Sequence, residues 1–182
     1  MRLLTAFFDM RFTALIFLGM LIAFSGCQRT SSTEIQFRSC LADEATMGSF
    51  LFASLESAET ALIRHALRDS SREAYIGLAE MLRDDELHLS ESELAPDITD
   101  FWELRSAATV GAFERCAALV SDASDTLTEE HPVYQLNVFY QGRSGNITPE
   151  TLLEMIGTFS DDVFENLIYR GAVISAVIQL AE

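Results

Sequence analysis

The sequence predicts an all-α fold, a compact bundle of about five to six helices. Three observations lead there. Apolar residues recur every three to four positions through most of the chain, the spacing that lines one face of a helix. Only three prolines, at 96, 132 and 149, interrupt 182 residues, so few positions lack the backbone donor that a helix needs. Hydrophobic residues make up 49% of the chain and include 13 Phe, enough apolar volume for one sizeable core.

From about Ile35 to Leu67, the residues Leu41, Ala45, Gly48, Phe52, Leu55, Leu62 and Ala66 form one stripe, with Phe50, Leu51 and Ile63 on further faces. This predicts one long helix buried on several sides. Ser70-Ser71-Arg72-Glu73 has the composition of a capping box, in which Ser70 takes the amide three residues on and Glu73 reaches back to the cap. It opens a helix to about Arg83 with an apolar face of Tyr75, Leu78, Ala79 and Leu82. The acidic run from Asp84 to Asp100, broken by Pro96, suits a loop with a short helical turn. A third long helix is expected from about Thr99 to Val120, with Phe101, Leu104, Ala108, Gly111 and Leu119 available for packing. Between Val133 and Tyr140 the apolar residues alternate as in a strand, while Pro132 equally suits a first helical turn. Helix is preferred, because a lone strand has nothing to pair with. Thr148-Pro149-Glu150 reads as cap, proline and acid at a helix start, and Ser160-Asp161-Asp162 as another cap. Val163 to Ala181 is apolar on nearly all sides and is expected to be the central core helix. Glu165, Arg170 and Gln179 argue against its crossing a membrane.

At the amino-terminal side, Arg2 and Arg11 precede an apolar core from Phe12 to Phe24, and the small residues Ser25 and Gly26 stand before Cys27. Phe12 to Gly26 gives only about 22 Å of helix, against roughly 30 Å of bilayer hydrocarbon. These residues resemble a bacterial lipoprotein signal, with Phe24 where Leu is more usual. The resemblance implies a diacylglycerol on Cys27 through a thioether, cleavage between Gly26 and Cys27, and acylation, as by palmitate, of the freed amine. Because Gln28 rather than Asp follows, it also implies sorting to the periplasmic face of the outer membrane. An ordinary secretory signal and an uncleaved anchor are the alternatives; starts at Met1 and Met10 give the same mature product. The expected organisation is a signal peptide over 1–26, a polar tether over 27–34 and a single helical domain over 35–182.

Removal of the signal takes away Arg2, Arg11 and Asp9, leaving 10 Arg against 27 Asp plus Glu, a formal charge of −17 where the whole chain carries −16. So negative a surface repels phosphate backbones and anionic headgroups, which excludes nucleic acid and leaves the lipid on Cys27 as the expected membrane contact. Two cysteines remain after lipidation, Cys40 and Cys116, in the similar settings Phe37-x-x-Cys40 and Phe113-x-x-Cys116. In an exported chain they are candidates for a disulfide; the alternative is two separately buried thiols.

Ala45-Thr-Met-Gly-Ser-Phe50 and Ala108-Thr-Val-Gly-Ala-Phe113 nearly coincide, with a partial echo at Ile156-Gly-Thr-Phe159. Each Gly either lets two helices approach closely or marks a turn. Leu104 to Asp125 resembles the helical core of one ankyrin repeat, which would imply irregular ankyrin-like stacking as the alternative fold. The chain has three histidines, His65, His88 and His131. Asp85 and His88 stand at i and i+3, the acid-histidine spacing of helical metal sites, and Glu56 and Glu59 are possible partner carboxylates. No nucleophile elbow or phosphate-cradling glycine loop occurs, and neither a catalytic residue nor a cofactor is expected. The expected function is therefore that of a lipid-anchored helical interaction or accessory module with a protein partner. A carrier or chaperone for an apolar ligand and a metal-dependent enzyme are the alternatives.

Overall fold

The computed structural model describes residues 32–125, 127–141, 143 and 147–182. The expectations for the signal, for Cys27 and for residues 27–31 of the tether lie outside the described residues. The rest is all-helical, in the order α1 Ser32–Glu44, a 3-10 turn Gly48–Phe50, α2 Leu51–His65, α3 Arg72–Arg83, α4 Glu91–Leu94, and a 3-10 turn Ala95–Asp97. There follow α5 Phe101–Arg105, α6 Ala107–Asp122, α7 Pro132–Tyr140, α8 Pro149–Gly157, α9 Asp161–Phe164 and α10 Leu167–Gln179.

Ten α-helices among the described residues correct the expected five to six. The difference comes from α4, which forms in the acidic run expected to be a loop with a short turn, and from three internal breaks. Gly48 takes φ +57°, a left-handed conformation that glycine reaches without strain, and it splits the expected 35–67 helix into α1 and α2. Ser106 is extended, with ψ 143°, and its hydroxyl accepts from the Thr109 amide, so α6 begins afresh after α5. Asn166 does the same for α10, its side chain accepting from the Ile168 amide 3.0 Å away. Short polar side chains compete with the helical backbone in this way and become caps where periodicity alone reads straight through.

The start of α3 also shifts by one residue. The cap is Ser71, which accepts from the Ala74 amide, not Ser70. Asp69 receives the Ser71 amide at 2.9 Å, the role expected of Glu73. Three residues assigned to the tether, 32–34, belong to α1, and the Glu34 carboxylate receives a hydrogen bond from Asn166. The expected start at Thr148-Pro149 is present, with Thr148 and Thr151 capping one another reciprocally, and 132–140 is helical.

The core gathers around α10, in which every residue from Gly171 to Ile178 is buried. It packs against α2, α5, α6, α8 and α9. Close approach is needed here: a Cβ on Gly171 would lie 2.8 Å from Leu55 Cδ1 and 3.2 Å from Phe113 Cζ. Beyond α10, α1 packs on α6 and α3 on α8. In a repeat stack each unit touches only its neighbours, whereas here the last helix meets elements from the whole domain. The ankyrin-like stretch itself runs as α5 and then one unbroken α6 through Gly111. Among the described residues no helix is long and apolar enough to cross a membrane.

Candidate functional site

The cysteine pair is the candidate that the fold assembles most completely. Cys40 on α1 and Cys116 on α6 bring their sulfurs to 2.04 Å, a disulfide distance, with Cα atoms 5.7 Å apart. The matching sequence settings meet as well: Phe37, one turn before Cys40, packs edge-on against Phe113, one turn before Cys116, at 6.5 Å between ring centres. Phe37 also stacks on Tyr169 of α10 at 6.1 Å. Phe37, Phe113 and Cys116 are fully buried.

Asp85 and His88 do come together, at 3.5 Å, but both side chains are largely exposed. The pair is not on a helix, because α3 ends before it. Asp85 takes φ +61°, and the Glu86 amide bonds back to the Met81 carbonyl at 2.9 Å, the left-handed closure that ends a helix. Of the carboxylates considered as partners, Glu59 is engaged elsewhere, and no group of three or more His, Cys, Asp or Glu among the described residues could hold a metal. His65 instead pairs with Asp97 at 2.8 Å, and Arg64 reaches the same oxygen at 2.7 Å. The hydrogen bonds from His65 and Arg64 hold the Asp97 carboxyl below its usual range. His131 caps α7: its Nδ1 accepts from the Val133 amide at 3.2 Å.

Glu59 lies at the centre of a buried polar junction. Arg170 Nε and Nη2 donate to its two oxygens at 2.6 and 3.0 Å, and the Tyr75 hydroxyl donates to Oε1 at 3.1 Å. Arg170 Nη1 also donates to the carbonyls of Phe164 and Glu165, at 2.8 and 2.7 Å. The junction thus ties α2, α3 and the end of α9 to α10. Burial, and then the adjacent Glu59 charge, push the Tyr75 phenol well above its ordinary value. This is a fully connected network, which fixes how the helices dock.

Between α7 and α8 runs an open groove of about 590 Å³, with Tyr134, Val138 and Phe139 on one side and Gly157 and Thr158 on the other. Arg143 crosses it, 4.3 Å above the Phe139 ring and 2.5 Å from Glu154 Oε2. Glu129 stands at the rim. An aromatic wall beside carboxylates can hold an extended or cationic group by cation–π and charge contacts. Large apolar side chains are also exposed on other surfaces, Trp102 at 62% and Phe50 at 69%.

Periodicity and motif reading missed the Glu59–Arg170–Tyr75 junction and the groove. The junction did carry a signal: an Arg inside an otherwise apolar helix and a Glu inside an apolar stripe must either pair or face water. No protein-family model, curated protein or solved structure matches this chain.

Proposed function

We propose that this chain is a lipid-anchored lipoprotein of the bacterial cell envelope whose helical domain acts as a protein-interaction or accessory module. The observation that carries the reading is Ser25-Gly26-Cys27, closing an apolar run too short to span a bilayer. The Cys40–Cys116 pair supports it, since disulfides persist where thiols are oxidised, as in the periplasm. The exposed Phe50 and Trp102 support the interaction part, as large apolar side chains in water are commonly covered by a partner. The acidic surface favours basic over anionic partners.

Two measurements test the two halves. In detergent phase separation the wild type goes to the detergent phase and Cys27→Ser to the aqueous phase; a wild type found in the aqueous phase would refute the anchor. A photoreactive residue at position 102 yields a discrete protein adduct in cells, and that adduct fades in Cys27→Ser. Adducts to lipid alone would refute the module and favour a carrier of apolar molecules.

A further inference from the structure

We propose that His131 makes the first turn of α7, and with it one wall of the α7–α8 groove, acid-sensitive: the neutral ring caps the helix and the protonated ring releases it. The argument begins with the hydrogen bond. A ring nitrogen that accepts an amide proton must carry a free lone pair, so His131 Nδ1, which accepts from Val133 N, is unprotonated and the ring's proton sits on Nε2. Protonation puts a hydrogen on Nδ1 and removes the only side-chain acceptor at this cap. It also places a positive charge at the amino terminus of a helix, where the backbone dipole disfavours it.

The residues that depend on this cap form the groove. Tyr134, Gln135, Val138 and Phe139 line it from α7. Pro132 supplies no amide, so the Val133 amide is the first donor of the helix that a cap can satisfy. The charged group that acts on the ring is Glu34 from α1, whose charge favours release by favouring the protonated ring; Glu129 and Glu130 are its neighbours in sequence. From α6, Glu114 acts on Tyr140, at the opposite end of α7; from α8, Glu154 is paired with Arg143; from α10, Tyr169 faces Glu34. Burial outweighs Glu34 and holds the His131 ring below its ordinary value. The folded chain therefore takes up the proton less readily than the unfolded chain. The stability the cap supplies is complete above about pH 6.5 and is lost as pH falls from there through the folded ring's own titration.

Hydrogen exchange of the full chain, corrected for the intrinsic pH dependence of amide exchange, tests this. Between pH 7.5 and 5 the amides from Gln135 to Phe139 should lose roughly fivefold in protection, the worth of one N-cap. His131→Asn retains a capping acceptor that does not titrate, and it should show equal protection at both values. His131→Ala should show the reduced protection at both. Wild-type protection that does not change with pH, or His131→Asn losing as much as the wild type, would overturn the proposal. So would a His131 ring that titrates above pH 6.5 when followed by NMR.

Discussion

Arg170 is the residue that ties the buried Glu59 and Tyr75 to the last helix. Its guanidinium is 11% exposed and its partner Glu59 12%, so neither charge has water to fall back on. Removing one partner of such a pair leaves the other charged and buried, which costs about 3–5 kcal/mol. Arg170→Met is expected to lose that much in urea denaturation, and Glu59→Leu combined with it should recover part of the loss. Equal stabilities for all three proteins would show that the junction contributes nothing. At the next residue, Gly171, the constraint has an apolar counterpart. A methyl group there meets Leu55 and the rigid Phe113 ring inside the core, and overpacking of this kind costs about 1–3 kcal/mol. Gly171→Ala should lower the denaturation midpoint accordingly; an unchanged midpoint would mean that α2 and α6 can move apart freely at this point.

At the scale of elements, α1 is the one most dependent on a covalent tie. It buries only Phe37 and Leu41 within the helix, and Cys40 joins it to α6 across 76 positions of sequence. Closing a loop of that length is worth about 4 kcal/mol by the chain-entropy estimate. A reductant should lower the guanidinium midpoint by the corresponding amount, and identical midpoints with and without it would contradict the tie. Elements also set the response to acid. Asp69, Glu150 and Asp162 lie at the starts of α3, α8 and α9, where hydrogen bonds with Ser71, Thr148 and Ser160 hold their carboxyls below the ordinary range. Arg83 does the same for Asp84, and His65 with Arg64 for Asp97. Each group ionises more readily folded than unfolded. Their stabilising effect is therefore complete above about pH 4.5 and disappears as pH falls through the depressed folded values. Urea midpoints should drop between pH 4.5 and 3, and a flat profile over that range would count against these contacts.

The helices themselves were legible because burial follows periodicity: Tyr75, Leu78 and Ala79 face the core as their spacing requires, and α10 is buried as its composition requires. The breaks were not legible, because Gly48, Ser106 and Asn166 are permitted inside a helix and end one only when tertiary packing favours the cap. The same holds for sites. The Phe-x-x-Cys settings marked Cys40 and Cys116 as candidates for a pair, with two separate thiols as the alternative, and the sulfurs do meet. The Asp85–His88 spacing misled, because it assumed a helix that Asp85 itself terminates.

For the whole molecule, charge and the proposed anchor decide what can be met. The arginines at 64, 68, 72, 83, 105, 115, 143 and 170 each sit against a carboxylate, which leaves a large acidic excess in a chain of net charge −16. An acidic domain has no electrostatic hold on anionic headgroups, so the membrane attachment we propose would rest on the lipid at Cys27. A clickable fatty acid fed to cells that express the wild type or Cys27→Ser measures this directly. The account predicts label on the wild-type chain and none on Cys27→Ser. Equal labelling of both, or label on neither, would contradict it.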